Sequence, residues 1–226
     1  MSPAPTWVIL QHVAYEGPGA IAGAITARGQ TPTVVRIDQG EAVPVTTGGM
    51  SGLIVMGGPM GVHDTDTHPW LVAERELLAD AVTAGLPVLG VCLGAQQLAL
   101  ALGADVMSGA APEVGVGEVH LTPEGRHDPV LGPAGSPLPC MHWHQDVFGV
   151  PDGAVPLAWS DACPHQAFRY GPRAYGLQFH VEVTASLAAH WGPHLPSGVF
   201  VRAPDIAHAG RSGPGILERF VALAEG

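Results

Sequence analysis

The sequence predicts an α/β fold: a mostly parallel central sheet flanked by helices, with an antiparallel β extension. Strand-sized apolar runs at Trp7 to Leu10, Thr33 to Ile37, Leu53 to Met56 and Pro87 to Val91 alternate with helix-like segments near Gly19 to Arg28, Trp70 to Ala84 and Leu93 to Leu102. That alternation is the signature of parallel strands joined by crossover helices. From Gly115 through Phe179 the β-like runs are shorter and broken by Pro and Gly, as antiparallel additions are. Apolar residues make up 46 % of the chain and charged residues 13 %, and the 31 Gly and 22 Pro are spread over many short connections instead of one disordered block. A chain of 226 residues is long enough for one domain, residues 1–226, that buries roughly 70 % of its unfolded surface.

In chain order, the first element with chemical content is Leu53 to Gly61, a β-rich run ending in a glycine cluster. Backbone can approach a ligand closely there, and in a parallel sheet ligands bind beyond the carboxyl ends of the strands. The next is Gly90-Val91-Cys92-Leu93-Gly94, which joins the buried-strand pattern Leu86 to Leu89 to the helical pattern Ala95 to Leu102. It places one thiol at the tip of a sharp strand-to-helix turn, where glycines two positions before and after leave room for two backbones that nearly touch. The helix N-terminus favours the thiolate through its free N–H groups and dipole. The amides of Gly58 and Leu93 are the natural donors to a developing oxyanion.

The last chemical element is Ala174 to Thr184, an apolar strand running into polar residues at its carboxyl end. His180 and Glu182 are two apart, so in extended chain they share one face. A Cys nucleophile needs such a partner: an imidazole to take and return protons, and a carboxylate to fix its tautomer. Cys92, His180 and Glu182 are therefore the expected catalytic residues, with Gly58 and Leu93 forming the oxyanion hole. Helical patterns return at Thr184 to Trp191 and Gly215 to Ala224, and residues 192–214, with Pro193, Pro196, Pro204 and Pro214, read as a surface loop that covers the site or docks a partner.

These elements, in this order, resemble the class I (Cys-His-Glu) glutamine amidotransferase domain, in its free-standing, GMP-synthase-like branch. The likeness runs from about Trp7 to Thr184 and rests on Gly57 to Gly61, Pro69 to Leu78, Gly90 to Gln96, Trp143 to Asp146, Ser160 to Phe168 and Leu177 to Thr184. It implies a flavodoxin-like sheet and an attack by Cys92 on the γ-carboxamide of glutamine. Ammonia then leaves, and water hydrolyses the γ-glutamyl thioester. It also places Gly57, Gln96, Trp143, His144 and Gln145 among the substrate-binding residues. Relatives usually carry glycine at the position of Gln145, so a side chain there narrows the pocket, re-aims the loop or adds a contact. His165 stands where Asn is frequent, and Val181 where many relatives have proline.

A net charge of −11 with no basic cluster repels nucleic acid and anionic membranes at long range, so neither is an expected partner. No basic leader and no run of membrane-span length stands at the N-terminus, and the odd set Cys92, Cys140 and Cys163 is no disulfide framework; a cytoplasmic location is expected. The resemblance implies no cofactor. Among the twelve histidines, His142 and His144 alternate, His63 and His68 share a loop, and His190 and His194 are four apart with Pro193 between them; none has a nearby acidic residue in a recognised ligand motif, so no metal is expected. Three functions remain open: a glutaminase that passes ammonia to a separate synthetase, a self-sufficient hydrolase or peptidase of γ-glutamyl amides, and a binding module on the same fold.

Overall fold

Strand β1 (Thr6–Gln11) alternates its side chains between two cores: Trp7 and Ile9 enter one, Val8 and Leu10 the other. The computed structural model, which describes residues 5–225, repeats this division in β3 (Met50–Val55) and β4 (Val88–Val91), where Ile54 and Leu89 face the first core and Leu53 and Val88 the second. A strand buried on both faces has no polar side to show in the sequence, so these runs read as continuously apolar.

Helices α1 (Ala20–Thr26) and α7 (Gly213–Val221) cover the first core through Ile21, Ile25, Ile216, Leu217 and Phe220. Helices α2 (Trp70–Thr83) and α3 (Leu93–Ala101) cover the second through Leu77, Leu78, Ala95 and Leu98. With β2 (Thr33–Arg36) at the edge, the sheet has nine strands in the order β2-β1-β3-β4-β9-β8-β7-β5-β6, the later ones being β5 (Val106–Leu121), β6 (Leu138–Phe148), β7 (Ala154–Trp159), β8 (Ala167–Tyr170) and β9 (Ala174–Leu177). The first five in that order are parallel, and pairing from β9 onward is antiparallel. The fold is therefore the expected parallel α/β sheet with an antiparallel extension.

The structure departs from the sequence reading in three places. Strand β5 begins at Val106, not near Gly115, because Val106 to Ser108 pair with β6 before the register slips. Regular pairing of β9 ends at Leu177, and His180 is held beyond it by a single bridge to Met141, with the His180 N–H donating to the Met141 carbonyl at 2.9 Å. Residues 192–214 contain a 3-10 turn (Gly192–His194), helix α6 (Ala203–Ala209) and the start of α7. Ile206 of α6 packs with Met141, Val183, Leu187 and Trp191, the last two from α5 (Ala185–Trp191). These contacts cross sequence distances that local pattern does not register. No helix among the described residues is long and apolar enough to cross a membrane.

Candidate active site

The carboxyl ends of four neighbouring strands, β1, β3, β4 and β9, release His12, Gly57, Cys92 and His180 along one edge of the sheet. Cys92 is the N-cap of α3 and takes φ 53° and ψ −108°, a conformation that side chains rarely adopt. Its N–H donates to the Leu177 carbonyl at 2.8 Å, which ties the elbow to the strand leading to His180. The sharpness of the turn explains the flanking glycines: a Cβ on Gly90 would sit 2.3 Å from the Gly94 carbonyl oxygen, and one on Gly94 would sit 2.1 Å from that of Val55.

His180 and Glu182 are each 1 % exposed, and the imidazole Nδ1 lies 2.7 Å from Glu182 Oε1. Burial by itself would lower the His180 pKa, but the Glu182 carboxylate and the Cys92 sulfur outweigh it, and the group is held well above its ordinary value. The Cys92 Sγ–H points to the Trp143 carbonyl at 3.6 Å, and His180 Nε2 has no hydrogen-bond partner among the described residues. The two side chains converge on Gly57: a Cβ there would lie 3.2 Å from His180 Cε1 and 3.5 Å from Cys92 Cβ. Trp191 meets the His180 ring edge-on at 4.7 Å between centroids.

A cavity of about 430 Å³ opens beside the thiol, walled by Gly58, Cys92, Gln96, Trp143, His144 and Gln145, with Pro196 reaching in from the C-terminal segment. Of the residues expected to bind substrate, Gly57 is absent from this wall and packs against Glu16, His180 and Cys92. Gln96 braces α3 against β6, donating to the Asp146 carbonyl at 3.0 Å and to Gln178 Oε1 at 3.2 Å. Gln145 is exposed, and its amide donates to Ser108 Oγ at 3.3 Å. The Gly58 N–H has no hydrogen-bond acceptor among the described residues, and the Leu93 N–H is the first amide of its helix, where partners are lacking by construction.

Several polar residues at the site have no motif to announce them. The buried pair His12 and Glu74 touches the glycine loop, with His12 Nδ1 at 2.9 Å from the Gly57 carbonyl and Nε2 at 2.7 Å from Glu74 Oε2. Glu74 shares the helical stripe of Leu71, Leu78 and Ala81, so its spacing is the signal that could have found it. Glu16 is also buried, and a Cβ on Gly57 would lie 2.3 Å from its Oε2. Burial, aided by Glu182 and opposed by His180 and His12, pushes its carboxyl up to about 7.

That shift makes stability depend on pH. From the ordinary value of 4.5 up to about 7, native Glu16 keeps a proton that the unfolded chain has lost. Its contribution is thus complete below the lower value, declines across the window and is gone above the upper one, by about 3 kcal/mol in all. Glu16→Gln is expected to remove that decline and to be more stable than the wild type at pH 8, as urea midpoints at pH 5 and pH 8 will register. An unaltered pH dependence in the variant would contradict the assignment.

Glu113, His142 and His144 offer ligand atoms within 4.8 Å of one another and are the group that could hold a cation. The Glu113 carboxylate already accepts hydrogen bonds from Ser160 Oγ at 2.8 Å and Gln166 Nε2 at 2.7 Å, and lies 3.2 Å from His144 Nε2. Burial opposes its ionisation, but the contacts with His144 and Ser160 prevail and lower its pKa. Burial pushes His142 down to about 4. Ser160 and Gln166 thus each satisfy one oxygen of the Glu113 carboxylate, and the cluster lies where β5 pairs with β6. Cys140 and Cys163 are buried thiols whose pKa values burial raises, the second to about 11.

A family model described as glutamine amidotransferase class-I matches residues 19–191. The chain belongs to the class I glutamine amidotransferase family. Within it, the glutamine amidotransferase-like protein YfeJ of Salmonella typhimurium is 39 % identical over 176 residues, covering 76 % of this chain and 74 % of that protein. The glutamine-hydrolysing GMP synthase of Serratia proteamaculans is 36 % identical over 141 residues, 59 % of this chain but 26 % of that enzyme, so the likeness spans about a quarter of the longer protein. A glutamine amidotransferase structure from Methylobacillus flagellatus superposes with a TM-score of 0.86 at 27 % identity, covering 98 % of this chain and 96 % of that one. One from Thermotoga maritima has the same fold, with a TM-score of 0.86 at 24 % identity and full coverage of both chains.

Proposed function

We propose that this amidotransferase-family chain hydrolyses the γ-carboxamide of glutamine through a thioester on Cys92. The observation that carries the reading is the convergence of Cys92 and the paired His180 and Glu182 beside Gly57, with Cys92 and Gly58, whose N–H has no acceptor among the described residues, on the wall of one cavity. In this mechanism Sγ attacks the amide carbon while the Gly58 and Leu93 N–H groups receive the oxyanion. His180 gives its Nε2 proton to the departing ammonia, Glu182 steadies the ring, and water activated by His180 then releases glutamate from the thioester. Gln96, Trp143, His144 and Gln145 hold the amino-acid end of the substrate, Gly57 shapes the loop behind it, and no cofactor takes part. In the cytoplasm, the ammonia feeds a separate synthetase; the similarity to a glutamine-hydrolysing GMP synthase supports that coupling.

The Gln145 side chain, directed to Ser108 on the cavity wall, favours a second reading in which the same residues cleave larger γ-glutamyl amides without a partner. Incubation with glutamine, γ-glutamyl anilide and glutathione separates the two. Glutamine is expected to give equal ammonia and glutamate and to turn over fastest. Faster release of amine from the larger substrates assigns the chain to γ-glutamyl amide hydrolysis, and inertness toward all three removes both readings.

A further inference from the structure

The proposed mechanism needs the Gly58 N–H to face the cavity, yet nothing in the local sequence holds it there. Gly57 and Gly58 are adjacent glycines, and the peptide plane between two glycines turns with little steric resistance. Its orientation must come from outside the loop. The peptide is trans, so the Gly57 carbonyl and the Gly58 N–H point in opposite directions, and whatever anchors one aims the other.

The anchor is His12. Its Nδ1–H donates to the Gly57 carbonyl at 2.9 Å, and its Nε2 lies 2.7 Å from Glu74 Oε2. Both ring nitrogens therefore face oxygen, and neither side chain of the pair is exposed. The ring is further clamped by stacking on Trp70, with centroids 4.9 Å apart and planes 10° from parallel. Burial by itself would keep the imidazole neutral, but the Glu74 carboxylate and the Gly57 carbonyl outweigh it and hold its pKa above the ordinary value. The preceding residue is pinned separately, since the Gly94 N–H donates to the Met56 carbonyl at 3.2 Å. Beyond Met56, His12 alone among the described side chains donates to this peptide.

We propose that His12, its Nδ1–H secured by Glu74, is a positioning residue that locks the Gly57–Gly58 peptide with the Gly58 N–H turned toward Cys92. This rests on the function proposed above. It makes the oxyanion donor conditional on the residue just beyond β1 and on a carboxylate in α2, neither of which touches substrate. A His12→Phe variant keeps the stacked ring but lacks the donor. It is expected to lose about 100-fold in kcat for γ-glutamyl hydrolysis with KM nearly unchanged, because only a transition-state interaction is removed. Alkylation of Cys92 by iodoacetamide, which forms no oxyanion, is expected to stay within about threefold of wild type, in contrast to that loss.

Conservative replacements distinguish this from general damage. In His12→Asn the amide nitrogen takes the place of Nδ1, and it is expected to recover about tenfold of the loss; in Glu74→Gln the new amide can donate to Nε2 and leave the proton on Nδ1, so its loss is expected to stay within about tenfold. A folded His12→Phe protein with wild-type kcat, or a crystal structure of it with the Gly57 carbonyl unmoved, overturns the proposal. Nitrogen-15 NMR of the wild-type protein decides it without any variant: His12 Nδ1 must carry its proton through neutral pH, and a lone-pair shift there defeats the lock. A wild type inert toward every γ-glutamyl amide defeats the proposed function, and the NMR result then still rules on the lock itself.

Discussion

Replacing Cys92 by alanine is expected to lower γ-glutamyl turnover by at least about 10⁴-fold while leaving the fold intact, because in the proposed mechanism the sulfur that attacks is removed and no other group forms the thioester. Alanine keeps a Cβ at φ 53°, so the backbone strain of the elbow stays in place and stability changes little. Cys92→Gly is equally inactive but relieves that strain, and its stability is expected to rise by about 1 kcal/mol. Parallel melts and ammonia-release assays on the two variants therefore separate the chemical role of the sulfur from the conformational demand of its position. Residual turnover near wild type in Cys92→Ala would move the nucleophile elsewhere.

Gly94→Ala is expected to have the largest effect on stability. The new methyl would stand 2.1 Å from the Val55 carbonyl oxygen and 2.6 Å from its carbon. Val55 cannot give way: it belongs to β3, which is paired on both sides, with β1 and with β4. Helix α3 must instead lift from the sheet, taking with it the Gly94 N–H that holds Met56 and the first-turn amide of Leu93. Overpacking of this kind costs about 3 kcal/mol or more, which for a chain of this size lowers Tm by roughly 10 °C. Activity is expected to fall even where the variant remains folded, since the thiol and the Leu93 amide ride on the displaced helix and move away from Gly58, which stays with the loop after β3. A Tm within about 2 °C of wild type would show that the strand and helix are less closely apposed than the structure has them.

Legibility in the sequence followed the distance over which each feature is specified. The parallel strands could be read because residues buried on both faces leave unbroken apolar runs, and the elbow because its two glycines stand next to the cysteine that needs them. His180 and Glu182 could be singled out because the carboxylate that grips the ring is two residues away. The start of strand β5 is not legible because Ser108 to Pro112 is a run of small residues without alternation, and Val106 to Ser108 become strand by pairing with β6. Glu113 was lost with it, and so was the link to His144 that its place opposite that residue creates. Helix α6 is not legible because its short span, Ala203–Ala209, holds one proline, and its Ile206 is buried against residues distant in sequence, from β6, α5 and the loop before α5.

By itself the sequence determined the fold class, the thiol at the strand-to-helix turn and the imidazole-carboxylate pair, all of which depend on periodicity, glycine placement or spacing within a few residues. Only the tertiary structure decided that the elbow and the pair meet beside Gly57, that Glu16 is buried against them, and that His12 and Glu74, 62 residues apart, meet beneath the glycine loop. Periodicity marks Glu74 as buried, but nothing in either segment names its partner. The hydrogen bond exists because the fold sets helix α2 against the end of β1, and that juxtaposition belongs to the tertiary structure.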